Sequence, residues 1–133
     1  MTKSQNYRLY CLTNRYLSSL QKGLQTAHVV SEIYSCATEL PDEKKIFNQW
    51  VEQDRTIIIL DGGNCASLEA FEHFLTTSEC DWPWASFRED DQSLNGAITA
   101  VGVIVPESVY QQGGERPADM ALASKLQSLS LAV

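Results

Sequence analysis

Thr56-Ile57-Ile58-Ile59-Leu60-Asp61-Gly62-Gly63-Asn64 decides the fold. Thr56 to Leu60 form a continuous run dominated by β-branched side chains, with no polar alternation. Such a run predicts a central strand covered on both faces. The Asp-Gly-Gly-Asn tract is turn chemistry, and residues 67–75 then resume at helical spacing with Leu68, Phe71, Phe74 and Leu75 inward.

Upstream, residues 7–12 alternate polar and apolar side chains, as a strand does, and lead through Thr13-Asn14-Arg15 to Leu17-Ser18-Ser19-Leu20. A serine there caps a helix. Steps of four, three and four put Gln21, Gln25, His28 and Glu32 on one stripe of it, and the opposite stripe, with Leu20, Leu24, Ala27, Val30 and Ile33 or Tyr34, is the predicted buried side. Leu40-Pro41-Asp42-Glu43 reads as a second helix start, with Ile46, Phe47, Trp50 and Val51 as its buried face.

Downstream, Trp82-Pro83-Trp84 leads into a short strand ending at Phe87, and residues 97–105 form a second apolar strand stopped by Pro106. A polar, glycine-containing linker follows, and then a helix from Pro117 with Leu122, Leu126 and Leu129 at helical spacing. That helix either caps the core or joins a partner subunit. The predicted order is β-α-α-β-α-β-β-α. Two apolar strands need helical cover, so the expected fold is a three-layer α/β/α domain with a mixed sheet of about four strands.

The 133 residues suit one domain, and 44 % hydrophobic with 20 % charged residues is an ordinary globular composition. A formal charge of −7 opposes broad binding to a phosphate backbone. Cys11, Cys36, Cys65 and Cys80 show neither Cys-x-x-Cys pairing nor zinc-ligand spacing, so no disulfide framework, metal or cofactor is expected. The start of the chain has no apolar h-region, and no run is long enough to span a bilayer. A cytoplasmic protein with no membrane partner is the expectation.

Three tracts carry groups capable of chemistry. His28 on the polar row either works as an acid, base or hydrogen-bond donor, or packs its ring at a helix–strand seam. Glu89, Asp90 and Asp91 are three adjacent carboxylates that read as a solvated loop unless the fold supplies a partner. The Asp61 to Asn64 turn offers backbone amides to a phosphate, but it lacks the glycine and lysine fingerprints of nucleotide loops, and a plain tight turn is favoured. Trp82 and Trp84 read as aromatic packing more readily than as a stacking platform.

Taken in order, these residues resemble the type 2 peptidyl-tRNA hydrolases and their bacterial and phage-encoded relatives, over residues 7–105. In that family a first strand runs into an Arg-x-Asp-Leu-like turn and a Gln-x-x-His-Ala helix; Asn14, Leu17, Gln25, His28 and Val29 stand at the matching places. Gln21-Lys22 looks like the relatives' Gln-Gln, with Gln21 in the register of the main-line lysine. Phe87-Arg88-Glu89-Asp90-Asp91 looks like Phe-Arg-Glu-Pro-Asp, and Ile98-Thr99-Ala100 like Leu-Thr-Ala.

The resemblance implies a hydrolase-like domain over residues 1–110, with residues 111–133 as a linker and helix outside it. It also implies that Asp91 and Thr99 face Gln21, Gln25 and His28. Lys22 lies about 100° round the helix from Gln21, and is expected to be misdirected. On this reading His28 or Asp91 orients water, Thr99 and Gln25 hold the ester carbonyl, Lys22 meets a phosphate, and Asn14, Arg15, Gln21, Gln25 and Glu89 line the substrate site. The implied substrate is a peptidyl- or N-acyl-aminoacyl-tRNA. The alternatives are a relative without chemistry that holds a nucleotide-like or other small ligand, and a homodimer joined through Leu122, Leu126 and Leu129.

Overall fold

The computed structural model describes residues 6–37, 39–89 and 96–132. In chain order the backbone forms β1 (Tyr7–Thr13), α1 (Ser19–Ala37), α2 (Pro41–Gln49), a π-helical turn (Trp50–Asp54), β2 (Thr56–Asp61), α3 (Cys65–Thr77), β3 (Trp84–Arg88), β4 (Ile98–Pro106), α4 (Glu107–Tyr110) and α5 (Pro117–Gln127). The strands make one mixed sheet in the order β2-β1-β4-β3, with β1 parallel to β2 and β4 antiparallel to both of its neighbours.

Helices cover both faces. On one side, Val29, Ile33 and Ala37 of α1, with Phe47 and Trp50, pack on Leu9, Cys11, Ala100 and Ile104. On the other, Leu68, Phe71 and Leu75 of α3 and Leu122, Ala123 and Leu126 of α5 pack on Leu12, Val101, Val103 and Val105. Among the described residues no helix is long and apolar enough to cross a membrane.

The strand covered on both faces is β4, which is buried along its whole length; the isoleucine run expected at the centre is β2, at an edge. Ile57 is accordingly 45 % exposed. β-Branched side chains favour any pleated, half-buried surface, and that preference does not encode a strand's neighbours. Part of the open side of β2 is met by the C-terminal tail: Asp61 N–H donates to Ser130 O, and Ala132 N–H to Ile59 O, each at 2.9 Å.

The face of α1 also differs from expectation. Its inward stripe is Lys22, Gln25, Thr26, Val29, Ile33 and Ala37, while Leu20, Leu24 and Tyr34 are 75 %, 52 % and 55 % exposed. The sheet explains the rotation. A Cβ on Gly102 would lie 2.6 Å from Val29 Cγ1, so the missing side chain in β4 makes the hollow that seats Val29. The polar half of the inward stripe is compatible with burial, since the Thr26 hydroxyl donates to Lys22 O at 2.8 Å. An apolar periodicity count misses a stripe whose first three members are polar.

Two smaller corrections follow. The helix after Pro41 widens into the π turn, closed by Arg55 N–H to Trp50 O at 2.7 Å. The extra residue per turn shifts the phase there, so Trp50 is buried while Val51 is 40 % exposed. In α5, Leu122 and Leu126 belong to the core and Leu129 packs against it, so that face caps the sheet and is not free to join a second subunit.

Candidate functional site

Five chain segments meet at one end of the sheet: the exits of β1 and β2, the first turns of α1, the end of β3 and the start of β4. The C-terminal ends of parallel strands are where open α/β sheets hold ligands. A capping box starts α1. Ser18 Oγ accepts the Gln21 N–H at 3.1 Å, and Gln21 Oε1 accepts the Ser18 N–H at 3.3 Å. Gln21 is therefore drawn back to the helix entry and exposed, whereas Lys22 is 8 % exposed on the inward stripe. This reverses the orientation expected for the pair.

One turn further along that stripe, Gln25 is also 8 % exposed. Its Nε2 donates to Glu89 Oε1 at 2.8 Å, and its Oε1 accepts from Thr99 Oγ1 at 3.2 Å. The carboxylate accepts only, so it dictates which way the amide points. Thr99 reaches α1 because of an irregularity in β4. Phe87 pairs with Ala100 but Arg88 pairs with Ile98, so the register skips Thr99. A bulge of this kind re-aims a side chain, and here the hydroxyl is 2 % exposed and turned to the α1 layer.

That hydroxyl has one proton and two acceptors in reach, Gln25 Oε1 and Phe87 O at 3.3 Å. Whichever takes it, the Thr99 oxygen is left as an acceptor. The result is a chain running from carboxylate through amide to hydroxyl, ending in an oxygen that suits a water or an N–H of a ligand.

Asn14 and Arg15 frame the other side. Asn14 N–H donates to Thr99 O at 3.0 Å, Asn14 Oδ1 accepts the Tyr16 N–H at 3.0 Å, and its Nδ2 reaches Cys65 Sγ at 3.5 Å. Arg15 pairs with Asp61 at 3.4 Å. The Gly63 N–H, donating at 2.9 Å, holds the Asp61 carboxyl below its ordinary value against some desolvation, and the charges of Arg15 and Lys22 add to the effect. The turn amides of Gly62, Gly63 and Ser67 go to Thr13 O, Asp61 Oδ1 and Asn64 Oδ1, which makes it the plain turn and helix cap that was favoured over a phosphate cradle.

His28 is exposed and stacks on Phe87, with ring centroids 4.3 Å apart and planes 6° from parallel. The structure thus joins Gln25, Glu89, Thr99 and Asn14 by hydrogen bonds, with Arg15 and Asp61 beside them and Lys22 one turn before Gln25 on the same buried stripe. It sets His28 and Gln21 at the margins, and Asp91, with Asp90, lies outside the described residues.

One contributor was misdirected in the sequence reading and one was missed. Lys22, expected to meet a phosphate from a poorly aimed position, could have been turned inward by continuing the Val29, Ile33 and Ala37 stripe backwards by steps of three and four. Cys65, whose sulfur lies between Asn14 Nδ2 and Ile98 O, carries no sequence signal beyond its place after the turn. Among the described residues no group of three or more His, Cys, Asp or Glu side chains is arranged to hold a metal ion. No protein-family model matches the chain, and no curated protein matches it in sequence.

Proposed function

We propose that the chain is a type 2 peptidyl-tRNA hydrolase-like protein that hydrolyses the ester between a peptidyl or N-acyl-aminoacyl group and the terminal ribose of tRNA. The observation that carries this is Lys22, turned inward on the same stripe that holds Gln25 against Thr99. A cation, a threonine oxygen and an oriented amide at the mouth of parallel strands supply what ester hydrolysis needs. Water donates a hydrogen bond to Thr99 Oγ1 and attacks the carbonyl carbon. The Lys22 ammonium stabilises the oxyanion, the carbon–oxygen bond to ribose breaks, and the proton given up by the attacking water ends on the ribose oxygen. Glu89 acts through Gln25, fixing the amide. The resemblance assigns the orienting of that water to His28 or Asp91.

The test is direct. Purified protein incubated with N-acetyl-aminoacyl-tRNA should release the N-acetyl amino acid and spare the unblocked aminoacyl-tRNA. If folded protein at micromolar concentration leaves the blocked substrate intact where a known hydrolase cleaves it, the proposal fails.

One observation favours a second reading, a binding protein that keeps this wall without the reaction: the chain carries −7, and Glu89 adds a carboxylate at the wall itself. A neutral or cationic small ligand would suit such a site better than a phosphate backbone. Stabilisation in a thermal-shift screen of nucleosides and amino-acid esters, together with no hydrolysis, would favour it.

A further inference from the structure

The two edges of the sheet are treated differently. The tail at Ser130 and Ala132 covers part of the β2 edge, whereas among the described residues β3 pairs with β4 alone. Ile104 N–H donates to Pro83 O at 2.9 Å. Carried along the register, that bond turns the backbone groups of Ala85 and Phe87 towards β4 and those of Trp84, Ser86 and Arg88 to the open side. The side chains at those outward positions are drawn down onto α3. Ser86 Oγ donates to Glu72 Oε2, and Arg88 pairs with Glu72 at 2.7 Å and with Glu69 at 3.7 Å. Folded natural proteins commonly protect such an edge. Here, among the described residues, a row of N–H and C=O groups is left without a neighbouring strand.

A cleft flanks the edge on each face. One of about 460 Å³ lies on the α3 side, lined by Glu69, Glu72, His73, Thr76, Trp84 and Arg88. The other, of about 410 Å³, lies on the α1 and α2 side, where Glu32, Glu43, Cys36, Leu40 and Ala85 contribute. The first holds two carboxylates against one guanidinium. The second has two carboxylates and no Lys or Arg in its lining, with the aliphatic surface of Leu40 between. Burial and the nearby charge of Asp81 push the Glu43 carboxyl up.

We propose that the open edge of β3 docks an extended, lysine- or arginine-bearing segment of a partner polypeptide, which adds to the sheet as a fifth strand. The main chain of the segment pairs with Trp84, Ser86 and Arg88. Its alternate side chains enter the two clefts, ammonium or guanidinium towards Glu69 or towards Glu32 and Glu43, with the methylene stem along Trp84 or Leu40. A second copy of this chain is the poorer occupant. Pairing β3 with β3 would bring both sets of these carboxylates together.

The probe is a short acetylated and amidated peptide in which lysine and valine alternate, with a glutamate-for-lysine version as control. Titration of the lysine peptide should protect the amides of Trp84, Ser86 and Arg88 from hydrogen exchange, while those of Ala85 and Phe87 stay as they were. The control peptide should not bind. The double variant E32K/E69K, changed at two exposed positions, should bind the lysine peptide about tenfold more weakly or worse. Ser86→Pro should abolish binding by removing an outward N–H; because it also removes the bond to Glu72, the charge variant supplies the independent arm. Absence of binding, equal binding of the glutamate peptide, protection elsewhere than the outward amides, or a doubled mass with these amides already protected would each overturn the proposal.

Discussion

Gly102 is where the placement of α1 can be tested most sharply. Gly102→Ala puts a methyl group 2.6 Å from Val29 Cγ1, with Leu9 Cδ1 and Tyr10 O at 3.5 Å. Comfortable carbon–carbon contact needs about 3.5–4.0 Å, so helix and sheet must separate by about 1 Å locally. Val29 is fully buried, and a β-branched side chain in a helix has essentially one rotamer, so it cannot swing aside freely. Overpacking of this kind costs about 1–3 kcal/mol. Replacing glycine by alanine in a strand returns about 0.5–1 kcal/mol, leaving a net loss of about 0–2.5 kcal/mol.

Val29→Ala alone removes two methyl groups and should cost about 1.6 kcal/mol from transfer, with a cavity contribution on top. In the double variant the clash is gone. Equilibrium urea melts of the wild type, both singles and the double should therefore show the double variant more stable than the sum of the singles predicts, by about 1–3 kcal/mol. Additivity within about 0.5 kcal/mol would refute the docking of Val29 into the Gly102 hollow, and with it the inward direction of Lys22 and Gln25.

The capping box predicts that Ser18→Ala lowers stability by about 1 kcal/mol in the same melts, and that most of the effect persists in a Gln21→Ala background, because Ser18 Oγ accepts the backbone N–H of residue 21, which that change leaves in place. Iodoacetamide at pH 8 followed by mass spectrometry should modify exposed Cys36 first; Cys80, pushed up to about 11, and Cys11, pushed up to about 12, both chiefly by burial, should react only as the protein unfolds. The Asp61 carboxyl has a lowered pKa in the folded state, so its contribution is complete above the unfolded value of about 4 and is lost as the pH falls through the folded one. Wild type should thus be more stable than Asp61→Asn at pH 7, and the gap should close in melts at about pH 2.

Local signals in the sequence reported the elements well, because Pro41, the Gly62-Gly63 turn and the apolar residues of α3 and β4 each act on their own stretch of chain. Neighbour relations were harder to read. The isoleucines of β2 have the same strand preference at an edge as at a centre. The bulge at Thr99 depends on how Phe87 and Arg88 pair across strands, which no local pattern shows. The orientation of Lys22 follows from an absent side chain on a strand about eighty residues away. Motif order drew Gln25, Glu89 and Thr99 to one site, and these three are joined by hydrogen bonds. Counting polar positions put Gln21 and His28 with them and left Lys22 misdirected, whereas tertiary packing buries Lys22 on the inward stripe.

The contrast between those adjacent residues gives the most direct measurement of the proposed chemistry. Single-turnover release of N-acetyl amino acid from N-acetyl-aminoacyl-tRNA should fall about 10²–10³-fold in Lys22→Ala, the size of losing one oxyanion-stabilising group. The same assay with Gln21→Ala should stay near the wild-type rate. Wild-type hydrolysis that survives Lys22→Ala but collapses in Gln21→Ala would contradict the inward lysine as the group that stabilises the reaction.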